Sequence, residues 1–281
     1  MAKAADAQNK QKQHIQKFID RFRFNANRAA LVQSRIKKLE KMAELDVIVE
    51  EGAVRLPFIN PEPLAPPVLQ FEDIEFGFSG KESLFHDVNL GIDLDSRVAL
   101  VGKNGSGKST LLKLLTGELS PTKGAVHRNS KLKFATFSQH FVDQLNLNLS
   151  PLEYFGTLYP KVSSLEIRSH LGKYGIVGDI ALRSIRTLSG GQKSRVVFAH
   201  IAYQRPHVLL LDEPSNHLDI ETIEGLAQSL GTFEGGVLMV SHDQRLIELV
   251  CDEIWSLDDR TVTKFDGDMK AYKQHLLSQI P

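Results

Sequence analysis

The sequence predicts an α/β domain that combines a mostly parallel core with an antiparallel β lobe, preceded by a helical segment. Short apolar segments, among them Val208–Leu211 and Val237–Val240, are each followed by polar residues and alternate with helical patterns, as the strands of parallel sheets do. Two earlier segments, Val68–Phe78 and Val88–Leu94, are separated by a turn signal at Ser79-Gly80 and predict antiparallel strands. With 281 residues, the chain is long enough for one large domain and an appendage.

The first part of the chain, residues 1–56, is predicted to be a basic helical linker. Residues from about 4 to 45 include no Gly or Pro and repeat apolar side chains at helical spacing. This pattern fits one long helix or a hairpin of two helices with a break near Asn25–Asn27. The segment Lys10–Lys41 has ten basic and two acidic residues, so it carries a charge of about +8, and the rest of this net-neutral chain carries about −8.

A proline-rich connector over residues 57–67 is predicted to separate the linker from a domain over residues 68–281. The single cysteine, Cys251, excludes internal disulfides and suits a reducing compartment. No apolar run approaches the ~20 residues of a membrane-spanning helix, and no signal-peptide core begins the chain. We therefore expect a cytoplasmic protein without membrane insertion.

Within the larger domain, the pattern predicts a short buried strand at Arg97–Val101 and a helix at Ser109–Leu115 directly after a glycine-rich loop. The remaining predicted elements are a helical stretch over about 150–184, a hairpin of Ile254–Leu257 and Thr261–Phe265, and a final helix from Met269.

The loop between that strand and helix matches the P-loop pattern, Gly102-x4-Gly107-Lys108-Ser109, in its usual strand–loop–helix context. Its glycines let backbone N–H groups turn inward as an anion-binding nest at the positive end of the helix. We expect Lys108 to bridge the β- and γ-phosphates, the Ser109 hydroxyl to hold Mg²⁺, and Thr110 to reach the α-phosphate. The loop residues predicted to bind nucleotide are Gly102, Asn104, Gly105, Gly107, Lys108, Ser109 and Thr110.

Two adjacent carboxylates, Asp212 and Glu213, follow the apolar strand Val208–Leu211. Carboxylates at the mouth of a buried strand are costly unless they bind something positive. We expect Asp212 to support Mg²⁺ and Glu213 to orient or deprotonate an attacking water, since a positioned base contributes about 10²–10⁴ in rate. Without the P-loop, a solvent-exposed strand end would explain the pair equally well.

Together with LSGGQ at Leu188–Gln192, these motifs resemble those of the ATP-binding cassette (ABC) ATPases. The resemblance implies a P-loop nucleotide-binding domain with a RecA-like parallel core, an antiparallel β lobe and a helical subdomain. It implies ATP and Mg²⁺ as cofactors, and catalytic roles for Glu213, Lys108, Gln139 and His242. Gln139 would sense Mg²⁺ and the γ-phosphate, and His242 would close on the γ-phosphate.

The resemblance also implies that Phe78 stacks on adenine, although the family more often has tyrosine there, and that Ser215–Asp219 is the D-loop. The signature residues Ser189, Gly190, Gly191 and Gln192 would contact the γ-phosphate bound to another cassette, from a helix N-terminus. Taken singly, these residues have ordinary explanations: polar strand ends for Gln139 and His242, core packing for Phe78, and a helix cap for Ser189. Their common order along the chain favours the ABC interpretation.

A narrower resemblance is to the F subfamily, whose members lack membrane domains and carry two cassettes joined by a helical linker. The segments that carry it are LSGGQKSRVVFA, DEPSNHLD, GGVLMVSHD and the linker-like IDRFRFNANRAALVQSRIKKLEK. The chain is similar to the linker plus C-terminal cassette of eukaryotic ribosome-associated members that act in translational control. Its implied partner is a second cassette, either another copy of this chain or a missing N-terminal half.

The implied function is an ATP-driven switch on the ribosome, with Lys10–Lys41 binding RNA phosphates. Alternatively, this basic arm only packs on a cassette as a solvated helix, or lies on a membrane surface. A different class of protein is the subunit that energises a separate membrane transporter. The basic arm Lys10–Lys41 and the sequence SNHLD at Ser215–Asp219 disfavour that class. DNA-repair cassettes are excluded because only residues 110–187 separate the P-loop from the signature.

Overall fold

The computed structural model of the chain describes residues 56–216, 218–267 and 269–278. The predicted helical linker and its basic segment lie outside the described residues, so their structure stays a prediction.

A three-stranded antiparallel sheet forms the β lobe, in the order β2-β1-β4. Strands β1 and β2 have one buried face each, because their apolar residues recur at nearly alternate positions. The third strand, β4, was not predicted, since nearly all of its side chains are exposed and its sequence shows no alternation. The strands are β1 (Leu69–Phe76), β2 (Phe85–Ile92) and β4 (Lys123–Arg128).

The second sheet has six strands in the order β5-β6-β7-β3-β8-β9, and all of its pairs are parallel except β8–β9. Its central strands are buried on both faces, as their uninterrupted apolar sequences require. The strands are β3 (Arg97–Val101), β5 (Phe134–Phe137), β6 (Val208–Asp212), β7 (Gly236–Val240), β8 (Glu253–Asp258) and β9 (Thr261–Phe265).

Eight helices are described in residues 56–278, together with 3₁₀ turns at Gly178–Ala181 and Ile185–Thr187. The predicted helical stretch over about 150–184 is divided between the helices Pro151–Leu158 and Ser164–Gly172 and the first 3₁₀ turn, and the second turn follows it directly. The helices are α1 (Lys108–Thr116), α2 (Gln139–Asp143), α3 (Pro151–Leu158), α4 (Ser164–Gly172), α5 (Gly190–Tyr203), α6 (Ile220–Gly231), α7 (Gln244–Val250) and α8 (Met269–Ser278).

The arrangement of the parallel sheet determines where polar residues meet. Strands β6, β7 and β3 are consecutive neighbours and parallel, so their carboxyl ends lie at one edge. The loops that follow them carry Gly102–Gly107, Asp212-Glu213 and Ser241-His242. This edge therefore holds the polar groups that the sequence analysis singled out. In the part of the chain that the structure describes, no helix is long and apolar enough to span a membrane.

Candidate functional site

The glycine-rich loop connects the end of β3 to the start of α1 at Lys108. Two of its glycines are required by close packing as well as by their positive φ angles of 154° and 108°. A Cβ atom at Gly102 would lie 2.6 Å from the Leu257 carbonyl oxygen, and one at Gly107 would lie 2.8 Å from the Phe85 ring. Any larger residue at these two positions would displace the loop from β8 or from β2.

The start of α1 is an open anion-binding position. Its N-cap residue, Gly107, supplies no side-chain hydrogen bond to the first turn, so the N–H groups there retain their positive end charge. The Lys108 ammonium donates to the carbonyl oxygens of Gly102 (2.8 Å) and Lys103 (3.0 Å) and so folds back over the loop. The Ser106 hydroxyl is buried without a hydrogen-bond partner among the described residues. These features fit a phosphate group.

Ser109 and Asp212 bring two oxygen ligands together beside this loop. The Ser109 hydroxyl donates to Asp212 Oδ2 at 3.4 Å, although the two residues are 103 positions apart in sequence. Burial raises the pKa of Asp212 above its ordinary value, and the Ser109 hydrogen bond and the Lys108 charge lower it in part. A hydroxyl and a carboxylate are the hard oxygen ligands that Mg²⁺ prefers, so the pair fits this ion.

Glu213 lies at the strand end in a strained conformation, with a positive φ of 51°. Its N–H group donates to the Val240 carbonyl at 2.8 Å, which fixes the residue against β7. His242 follows β7 and places its Nε2 atom 3.6 Å from Glu213 Oε1. Burial raises the pKa of Glu213, and the neighbouring His242 charge lowers it in part. The Glu213 carboxylate is thus held at the end of β6 by contacts with Val240 and His242.

Two pockets flank the loop. The first, about 610 Å³, is lined by residues that include Ser109, Asp212, Glu213 and Ser138. Ser138 precedes Gln139, the first residue of α2, so the chain at Gln139 lies next to the carboxylates. This pocket brings the predicted site residues Ser109, Asp212 and Glu213 together with the segment that carries Gln139.

The second pocket, about 390 Å³, extends from Lys108 and His242 to the C-terminal helix α8. Lys103 and Lys273 also line it, and no carboxylate does. Sequence reasoning missed both lysines. Lys273 gives no local signal, because only the fold brings the last helix to the P-loop, whereas Lys103 lies inside the motif but in one of its unspecified positions.

Phe78, the predicted adenine contact, follows β1 and is 47% exposed. Its ring meets Phe76 edge to face at 5.1 Å, and Phe76 lies 6.5 Å from Phe85, the residue that packs against Gly107. Phe78 therefore lies two ring contacts from the phosphate loop, with a free face. Asn104 and Gly105 are exposed in the loop itself, and Thr110 is half-buried in the first turn of α1.

The signature segment forms the N-terminus of α5, which is capped by Ser189. Ser189 and Gln192 form a reciprocal capping box: the Gln192 N–H donates to Ser189 Oγ (3.2 Å), and the Ser189 N–H donates to Gln192 Oε1 (3.0 Å). Neither pocket beside Lys108 is lined by a residue of Leu188–Gln192. The structure therefore does not bring Ser189, Gly190, Gly191 and Gln192 together with the other predicted site residues.

Asp219 ends the predicted D-loop and caps α6, where its carboxylate accepts the Thr222 N–H at 2.7 Å. Hydrogen bonds from Thr222 hold the pKa of Asp219 below its ordinary value. Asp219, like the signature residues, lines neither of the two pockets.

Comparison with protein families agrees with this geometry. A family model described as ABC transporter matches residues 85–216, from the start of β2 to the turn after β6. A second model of the same description matches residues 1–58.

Among similar proteins, ABC transporter F family member 3 of Arabidopsis thaliana is 49% identical over 277 residues, which are 98% of this chain and 39% of the relative. ATP-binding cassette sub-family F member 3 of Homo sapiens is 47% identical over 276 residues, which are 98% of this chain and 39% of that relative. Protein GCN20 of Saccharomyces cerevisiae is 44% identical over 272 residues, which are 97% of this chain and 36% of that relative. The chain thus spans about two fifths of the length of the curated relatives it matches.

Among solved structures, a dimeric ATP-binding cassette bound to ADP and phosphate has a TM-score of 0.61 at 24% identity, covering 71% of this chain and all of that one. The structure of cbiO1 from Clostridium perfringens has a TM-score of 0.59 at 22% identity, covering 76% and 96%. Both likenesses concern the fold.

The parallel core, the loop before α1 and the strand-end carboxylates define a P-loop nucleotide-binding domain of the ATP-binding cassette class. The chain belongs to the ABC family, and within it to the F subfamily, in which it corresponds to the linker and second cassette. The predicted family and fold class are confirmed.

Proposed function

We propose that this cassette binds MgATP at its P-loop, hydrolyses it with Glu213 as the general base, and serves as an ATP-driven switch on the ribosome. The observation that carries the ATPase part is the meeting of three features at one sheet edge. The uncapped start of α1 follows β3, and its Ser109 hydroxyl meets Asp212 at the end of β6. His242, which follows β7, lies beside Glu213 at the same edge.

Each residue has a role that follows from its surroundings. Lys108 exchanges its two loop carbonyls for phosphate oxygens, a stronger charge-assisted interaction. Ser109, Asp212 and Gln139 would hold Mg²⁺, which would supply Lewis-acid chemistry to the phosphate oxygens. Glu213 accepts a proton from the attacking water, and His242 orients the carboxylate and contacts the γ-phosphate.

Complete catalysis requires a second cassette in this proposal. Positive groups must face the leaving and transferred phosphates from both sides to stabilise the transition state. The second set of donors, at Ser189–Gln192, lines neither P-loop pocket of its own chain. We therefore assign these donors to the nucleotide of a partner cassette, which is another copy of this chain or a preceding cassette of a longer protein.

The ribosome part of the proposal rests on the F-subfamily membership and on the charge of Lys10–Lys41. This segment carries about +8 on an otherwise acidic chain, and contacts with RNA phosphates release counterions. ATP closes the pair and hydrolysis reopens it, which suits a switch in the cytoplasm.

Co-sedimentation of the Glu213→Gln chain with ribosomes tests the proposal, in MgATP and in MgADP, at about 50 and 200 mM salt. We expect pelleting that requires ATP and weakens at the higher salt. The matched controls are a Lys37→Glu/Lys38→Glu variant, which should pellet poorly, and Lys131→Glu on the cassette surface, which should pellet like the parent. If the parent binds fluorescent ATP but pellets in neither nucleotide, the ribosome role of this chain is wrong, whereas the ATPase part stands.

A further inference from the structure

Residues Leu56–Asn60, which we call the strap, are built into the cassette at three points. The Leu56 side chain is fully buried, and its N–H donates to Ser229 Oγ of α6 at 3.3 Å. The Pro57 carbonyl accepts a hydrogen bond from the Tyr174 hydroxyl, just after α4. Asn60 Oδ1 accepts the N–H of Glu234 at 3.1 Å, before β7.

Phe58, at the centre of the strap, enters a row of aromatic rings. It meets Phe198 edge to face, with 6.4 Å between ring centroids and 80° between planes, and Phe233 at 5.7 Å. Phe198 in turn stacks on Phe137, with centroids 4.3 Å apart and planes within 3° of parallel. Phe198 is thus held between the strap on one side and the last residue of β5 on the other.

Two of the elements that the strap touches are α5, which begins at the signature motif assigned to the partner's nucleotide, and α6, which begins at the D-loop. Phe198 belongs to α5, whose N-terminus is the signature motif capped by Ser189. Ser229 belongs to α6, whose N-terminus is capped by Asp219 of the D-loop. No strap residue lines either pocket beside Lys108. The strap thus contacts the helix that carries the signature motif, and it is not part of either pocket beside the P-loop.

We propose that Phe58 is a positioning residue for the ATPase reaction: it braces α5 through Phe198 so that the signature motif meets the nucleotide of a partner cassette. The inference rests on the proposed function, since it assumes pairing. Ser189 lies nine residues before Phe198, about 13 Å along the helix axis at 1.5 Å per residue. Interiors are close-packed and relax into cavities only partly, so a smaller side chain at position 58 lets α5 tilt. A small tilt at Phe198 becomes a larger displacement at the motif.

A complementation assay separates this role from ordinary core packing. The donor chain carries Lys108→Ala, so that it contributes a signature but no working P-loop. The acceptor chain carries Ser189→Arg, so that it contributes a P-loop but no signature. ATP turnover by the mixture then reports one composite site. Phe58→Leu, which removes the ring and leaves a smaller apolar side chain, is placed in either chain in turn.

We expect Phe58→Leu in the donor to lower the turnover number of the mixture about tenfold, because misplacement by 1 Å can cost about 10²-fold. The same change in the acceptor should have a clearly smaller effect, and the KM for ATP should stay within about twofold in both. The control is Phe71→Leu in the donor, a fully buried phenylalanine of the β lobe. Equal effects of Phe58→Leu in both chains, or no effect in the donor, would overturn the proposal.

Amide hydrogen exchange on the single full chain tests the brace without pairing. Phe58→Leu should speed exchange of the α5 amides about tenfold relative to those of β1, and Phe71→Leu should do the reverse. Unchanged exchange in α5 overturns the role of Phe58 whatever the complementation assay shows. If exchange responds but the parent mixture has no activity, pairing between copies of this chain is wrong and the brace stands.

Discussion

His242 contacts Glu213 with both its side chain and its main chain. Its Nε2 atom lies 3.6 Å from Glu213 Oε1, and its N–H group donates to Oε2 at 3.4 Å. The two residues follow the neighbouring parallel strands β7 and β6, and the Glu213 N–H completes the connection to β7. A carboxylate fixed from two directions has a defined orientation toward the phosphate loop, which a general base requires.

Replacing Glu213 by Gln should leave nucleotide binding intact and nearly abolish turnover. The amide keeps the size of the side chain but accepts no proton, so we expect hydrolysis to fall by about 10²–10⁴. A fluorescent-ATP titration should give an affinity within about twofold of the parent. The control is Glu221→Gln, an exposed position in α6. Hydrolysis at the parent rate would remove Glu213 from its proposed role.

The same substitution should stabilise the unliganded chain at alkaline pH. Burial raises the folded-state pKa of Glu213, so the folded chain binds more protons than the unfolded chain just above the ordinary glutamate range. The stabilising contribution of the Glu213 carboxyl group is complete below its unfolded-state pKa, and it is lost as the pH rises through its folded-state pKa. Thermal melts should therefore give Glu213→Gln a higher Tm than the parent at pH 8 and the same Tm as the parent near pH 4.

Glu153 provides a control of opposite sign for these melts. Hydrogen bonds from Ser150 hold its pKa below the ordinary value, so its stabilisation is present above the unfolded pKa and is lost as pH falls through the folded pKa. The Tm of Glu153→Gln should be lower than that of the parent at pH 8 and should approach it in acid. If both variants shift in the same direction at pH 8, the assigned cause at Glu213 is wrong.

Local sequence patterns were enough to predict the central part of the fold. The strand–loop–helix unit around Lys108, the strand that ends at Asp212 and the hairpin of β8 and β9 each have a short-range signal. Strand β4 has none, because its exposed side chains neither alternate nor cluster. It becomes a strand through pairing with β1, whose partner residues precede it by about 50 to 60 positions.

The same limit applies to the site. Motifs located Ser109, Asp212, Glu213 and His242 because the phosphate chemistry restricts residue types at fixed spacing. Contacts made only by the fold were not predictable. The Tyr174 hydroxyl reaches Pro57 across 117 residues, and Lys273 reaches the second pocket from the last helix. The predicted roles of the site residues and the domain boundaries stay predictions.

Removing the ammonium of Lys108 should weaken nucleotide binding itself. The group lies over the P-loop with two carbonyl partners, and its residue is the first of α1, at the uncapped helix start. We expect Lys108→Ala to lower ATP affinity at least about tenfold, since a charge-assisted hydrogen bond contributes about 1.5–3 kcal/mol. A fluorescent-ATP titration measures this, with the exposed Lys131→Ala as control. Equal affinities for both variants would contradict the assigned role of Lys108.

Ser189 allows the structural and catalytic roles of a signature residue to be separated. Ser189→Ala removes one half of the capping box on α5, which should cost about 1 kcal/mol and lower the Tm by about 2–4 °C. Ser150→Ala removes the corresponding half of the capping box on α3, where Glu153 takes the place of Gln192 and also accepts a hydrogen bond from the buried Ser150 hydroxyl at 2.8 Å.

Ser150→Ala should therefore lose at least as much stability as Ser189→Ala, and differential scanning calorimetry measures both losses. Only Ser189→Ala should also lower ATP turnover when it is carried by the chain that donates the signature, because only Ser189 is assigned to the partner's phosphate. Equal turnover for the two variants at matched stability would mean that Ser189 serves solely as a helix cap.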